Sequence, residues 1–123
     1  MKKVLIVAAI LEGFTGLVLL ASPSIVPRLL FGTDVAGAGA AMSRVTGICL
    51  IALSVACWPD RNMLRGFCGM LTYSTIVMVF CVIVAAGGEV GILLWPAVAF
   101  HAGLSFALVW ARWKQPNTAH ATT

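Results

Sequence analysis

Four apolar stretches follow one another along this chain, at about 4–21, 36–58, 66–87 and 90–111. Each is long enough to cross a hydrocarbon core as a helix, which takes about 20 mostly apolar residues. In lipid every backbone amide and carbonyl must find its partner inside the protein, and a run of this length does so as a helix. The composition agrees: of 123 residues, 61% are hydrophobic and 10% charged, where soluble domains carry roughly 25% charge. A core of this size could not hide that much apolar surface from water. The expected fold is therefore all-α, an integral membrane antiparallel four-helix transmembrane bundle. It occupies 1–114, and a short polar tail at 115–123 is expected to be flexible.

The breaks between the stretches carry the punctuation that stops a helix. Ser22-Pro23 ends the first, and Trp58-Pro59-Asp60-Arg61-Asn62 separates the second from the third, because proline cannot continue a helix and aspartate favours turns. Gly87-Gly88-Glu89 makes the last break, so the third and fourth stretches read as a tight hairpin. The first connection is longer and contains IVPRLLFG at 25–32. This apolar segment with one arginine reads as a short interfacial helix in the outer headgroup layer, or equally as a lid over the bundle.

Lysine and arginine set the orientation. Lys2, Lys3, Arg61, Arg65, Arg112 and Lys114 all fall on the side of the termini, and Arg28, Asp34 and Glu89 on the other. The positive-inside rule puts both termini in the cytoplasm. That rule also accounts for the net charge of +4, so no nucleic-acid partner is called for. Met1-Lys2-Lys3 ahead of an apolar run also fits a secretory signal, but the run is long for a signal core and is interrupted by Glu12.

Small residues indicate where helices meet, since close backbone approach replaces the hydrophobic drive in lipid. Ala9, Gly13 and Gly16 lie on the first helix, Gly39, Ser43 and Gly47 on the second at four-residue steps, and Gly66 and Gly69 on the third. The same faces would suit a homo-oligomer. Trp58, Trp95, Trp110 and Trp113 fall near helix ends, as an interfacial belt requires. Cys49, Cys57, Cys68 and Cys81 form no C-x-x-C pair and read as small packing residues, with Cys57 and Cys68 expected to face each other.

Each apolar stretch carries one polar residue within about one turn of its midpoint: Glu12, Arg44, Tyr73 and His101. A charged side chain at the centre of a spanning helix costs roughly 2.5 to 3.5 kcal/mol and normally turns inward and pairs. Equal depth and opposite charge predict a buried Glu12–Arg44 ion pair, with Tyr73 and His101 as hydrogen-bonding neighbours. Thr15, Thr46, Thr72 and Ser105 are secondary candidates, and Ser105 stands one turn from His101. The cluster reads either as a ligand or proton site or as architecture that fixes helix register.

No H-E-x-x-H, G-x-S-x-G, Walker loop or dinucleotide fingerprint occurs. Metal ligands are not grouped in the sequence, and one intramembrane histidine cannot supply bis-His haem ligation within one chain. The features GL at 16–17, LLASP at 19–23, RVTGI at 44–48 running into ACW at 56–58, and LWPA at 94–97 with His101-Ala102 resemble a group of small four-helix bacterial inner-membrane proteins. The layout is also loosely similar to that of DoxX-like four-helix membrane proteins. The resemblance to the small four-helix group covers most of the chain and implies a bacterial inner-membrane protein; that group has no assigned activity, so no site follows from it.

Three function classes follow. The leading one is a non-catalytic accessory or assembly subunit of a larger membrane complex. The second is a binder or carrier of a small hydrophobic or weakly acidic molecule, such as a quinone, a lipid or a weak acid, at the midplane cluster. The third is an intramembrane isomerase or oxidoreductase using the same residues as acid and base.

Overall fold

The computed structural model describes residues 1–59, 63–88 and 90–114. Asp60, Arg61, Asn62, Glu89 and the tail 115–123, on which part of the turn and orientation reading falls, lie outside the described residues. Five helices are present among them: α1 Lys2–Ala21, α2 Ile25–Phe31, α3 Ala38–Ala56, α4 Met63–Ala86 and α5 Leu94–Trp113. Four of these, α1, α3, α4 and α5, are long and apolar enough to span a membrane. The protein is thus an all-α multi-pass bundle in a lipid bilayer, with one shorter helix between its first two spans.

The helix ends follow from local chemistry. At the end of α1 the Ser22 N–H donates to Val18 O at 2.8 Å, and Pro23 prevents continuation. Gly32 closes α2 in the left-handed region at φ 75°, a conformation that favours glycine. The last span starts at Leu94, later than the apolar run that begins at 90, because the backbone just ahead of it has another partner. Gly91 N–H donates to Leu30 O and Leu93 N–H to Leu29 O, both at 2.8 Å, which caps the carbonyl end of α2. Pro96 falls at the third position of α5, where no intrahelical N–H bond is lost.

The spans pack as two pairs. α1 lies along α3, α4 lies along α5, and contact between the pairs is sparse. The first pair touches through backbone: a β-carbon placed on Gly16 would stand 2.7 Å from Gly47 O, and one on Gly47 would stand 2.6 Å from Gly16 O. Nearby, the Ser54 hydroxyl donates to Ala9 O at 2.6 Å and ties the same two helices. Towards the termini the pairs close on a dry core of Leu5, Ala8, Cys57, Phe67, Met70, Leu104 and Leu108. Cys57 is buried there and Cys68 is exposed, so the two thiols do not face each other as expected.

Because backbone cannot retreat as a flexible side chain can, Gly16→Val or Gly47→Val forces α1 from α3. Overpacking of this kind costs about 1–3 kcal/mol. We predict a clear fall in thermal midpoint in detergent for either variant, whereas Gly103→Ala, whose added carbon meets nothing within 4 Å, should leave it unchanged.

Candidate functional site

Away from the dry core the two pairs diverge and leave a cavity of about 970 Å³. Glu12 and Thr15 of α1, Ser43 and Thr46 of α3, Tyr73 and Cys81 of α4 and His101 of α5 line it; most of the remaining wall is apolar. α2 covers it with Ile25, Val26, Pro27, Leu29, Leu30 and Phe31. Phe31 meets Phe80 of α4 edge-on at 6.4 Å between ring centroids. Phe14, Met42, Phe80 and Phe100 line the cavity and are also exposed on the outside of the bundle, so the cavity opens sideways, towards hydrocarbon.

Glu12 sits at the centre of this arrangement. It is 4% exposed and lies on the α1 face that also buries Leu5, Ala8, Ala9 and Gly16. The Tyr73 hydroxyl donates to Glu12 Oε2 at 3.0 Å, reaching across from the other helix pair. His101, 8% exposed, meets the Tyr73 ring edge-on at 5.8 Å and the Phe100 ring at 5.2 Å between centroids. Its Nδ1 is buried with no hydrogen-bond partner among the described residues, and so are Ser74 Oγ and Ser105 Oγ. Buried polar atoms nearly always find a partner, so α4 and α5 hold hydrogen-bonding capacity that the described protein atoms leave unused.

The structure brings Glu12, Tyr73 and His101 together and leaves Arg44 out. Arg44 is exposed on the outward side of α3 and does not line the cavity. Among the described residues one ion pair forms, Arg28 Nε to Asp34 Oδ1 at 3.8 Å, on the exposed first connection. The expected Glu12–Arg44 pair is therefore corrected: the carboxyl is bound by a phenol from α4 in place of a guanidinium from α3. Arg44 follows Ser43, and Ser43 with Gly47 forms the buried stripe of α3, so a residue one step on is turned about 100° away.

The secondary candidates divide as well. Thr15 and Thr46 line the cavity but donate to their own helices, at Leu11 O and Met42 O, both 2.9 Å. Thr72 is exposed, and Ser105 is tucked in behind the cavity wall without lining it. Among the described residues no group of three or more His, Cys, Asp or Glu side chains could hold a metal ion. Sequence reasoning missed Cys49, Cys81, Phe14, Phe80 and Phe100 as cavity residues. One signal was available: Phe100 adjoins His101 in sequence, and rings beside a midplane polar residue are candidates for its surroundings.

Comparison with known protein families, with curated proteins and with solved structures found no match. The site is accordingly read from its own geometry.

A membrane-buried polar contact of this kind contributes about 0.6 kcal/mol, at most about 1.7. Tyr73→Phe is predicted to lower stability by that amount. Arg44→Gln, which removes an outward-facing charge that has no ion-pair partner among the described residues, should not lower stability, since such a charge is costly at this depth. Thermal unfolding of both variants in one detergent tests the assignment, and a large loss from Arg44→Gln with none from Tyr73→Phe would restore the ion pair.

Proposed function

We propose that this protein binds or carries a small lipophilic molecule in the cavity between its helix pairs, with the polar head of the ligand at Glu12, Tyr73 and His101. The observation that supports this reading most is the cavity. Its volume of about 970 Å³ lies at the upper end of the range for ligand pockets, roughly 300–1,000 Å³, and it has their usual pattern of apolar wall and few polar groups. An interaction that served only to fix helix register would be expected to close on itself. Here Glu12, Tyr73 and His101 stand in the wall of open space, and the buried His101 Nδ1 behind it has no partner among the described residues. A quinone or a lipid fits the wall, and a weak acid loses the cation on which it depended, since Arg44 faces away.

A second reading, an accessory subunit of a larger complex, draws on Arg44 itself. α3 is the least covered of the spans, and an arginine facing outward at this depth is a group that a neighbouring chain would neutralise. For either reading we place the protein in a bacterial inner membrane with both termini in the cytoplasm. The support is the gathering of Lys2, Lys3, Arg65, Arg112 and Lys114 at the terminal end of the bundle.

Native mass spectrometry of the protein gently extracted from its own membrane tests both. We expect a small molecule of constant mass that is lost in Ala97→Trp, which fills the cavity from α5. A polypeptide at fixed ratio, lost in Arg44→Leu, would favour the subunit reading. A bare protein in every preparation would count against both.

A further inference from the structure

Resting on the binding reading above, we infer the class of ligand: the cavity is built for a lipophilic organic cation, its charge held by Glu12 and its apolar body by the aromatic wall. Three observations converge. Among the described residues Glu12 is the sole carboxylate that lines the cavity, and neither lysine nor arginine lines it. The carboxyl is nearly fully buried, yet its one hydrogen bond among the described residues is the Tyr73 contact to Oε2, so Oε1 takes no bond from the protein. Phe14, Phe31, Tyr73, Phe80 and Phe100 line the same space, and the faces of such rings attract cations, most strongly where water is excluded.

The charge of the site decides between ligand classes. A buried carboxylate with no cation beside it is a large desolvation penalty left uncompensated. An anionic ligand would add repulsion to that penalty, and beside a neutral one the group sheds it only by holding a proton, as buried carboxyls without a counter-ion do. A cation removes it. Among the described residues His101 is the one side chain in the cavity wall that could supply positive charge, and it makes no ion pair with Glu12; it packs against the rings of Tyr73 and Phe100. The sideways opening completes the fit, because a cation with a large apolar body partitions into the membrane and can reach Glu12 without crossing water.

The test uses two ions of matched shape and opposite charge, tetraphenylphosphonium and tetraphenylborate, titrated calorimetrically into the full-length protein in detergent with empty micelles subtracted. The neutral dye N-phenyl-1-naphthylamine serves as a third probe. We expect saturable binding of the phosphonium, roughly tenfold or more tighter than the borate. Glu12→Gln should abolish that preference and Glu12→Asp retain part of it. If Glu12→Gln does not fold, the comparison of the two ions on wild type decides alone. Equal binding of both ions, or phosphonium binding unchanged by Glu12→Gln, would overturn the charge assignment; the binding reading would then still stand if the dye binds and Ala97→Trp displaces it. Failure of all three probes to bind would overturn both.

Discussion

The approach of Gly16 to Gly47 sets the geometry on which the rest of this structure depends. With no β-carbon on either side, the backbones of α1 and α3 come into direct contact, since an added carbon would fall within 2.7 Å of the facing carbonyl oxygen. Close packing of this kind supplies much of the attraction between helices where lipid is as apolar as any side chain. It makes α1 and α3 one unit, and α4 with α5 form another. Two units joined by a dry core near the termini and diverging beyond it must enclose space between them. The cavity is a consequence of how unevenly the four spans pair.

That unevenness explains the importance of the Glu12–Tyr73 contact. Contacts between the two units are few, and this hydrogen bond crosses from one unit to the other where the dry core gives way to the cavity. A second tie lies farther out, where the amides of Gly91 and Leu93 cap the carbonyl end of α2. The β-carbon position of Gly91 is blocked by the backbone of Leu29 and Leu30, so the connection before α5 lies directly against α2. α2 therefore combines two roles, a cover over the cavity and a fastening between the connection after α1 and the connection before α5. The short interfacial segment expected from the sequence is present, and its buried Pro27 and these bonds tie it to the bundle.

Much of the fold was legible in the sequence because its causes are local or compositional. Run length gives spans, proline and glycine give breaks, and IVPRLLFG announces a short helix; the structure has all of these. The start of the last span moved by four residues, to Leu94, because the amides just ahead of it belong to α2. Pairing of the spans was half legible: the small residues of α1 and α3 pointed to a tight contact, but nothing in a linear pattern says that α4 and α5 stand apart from it. A cavity leaves no mark in composition, since its wall residues are the same leucines and phenylalanines that would fill a core.

The candidate site shows where depth alone misleads. Glu12, Arg44, Tyr73 and His101 all lie near the midplane, and depth was the criterion that grouped them. Helical phase separates them. On α1, Glu12 falls between Ala8 and Gly16 on one buried face, four residues from each, so its side chain points inward wherever that face packs. On α3, Arg44 is one residue past Ser43 in the Gly39, Ser43, Gly47 stripe, and a stripe that buries Ser43 and Gly47 must turn Arg44 about 100° aside. The glycines that define the stripe were visible from the start. Two charges at one depth can pair only if both helices present them to the same space, and the phase of Arg44 against its own small-residue stripe already forbids it. Among the described residues the buried carboxyl is then left with a phenol and a set of aromatic rings, and no lysine or arginine lines the space beside it.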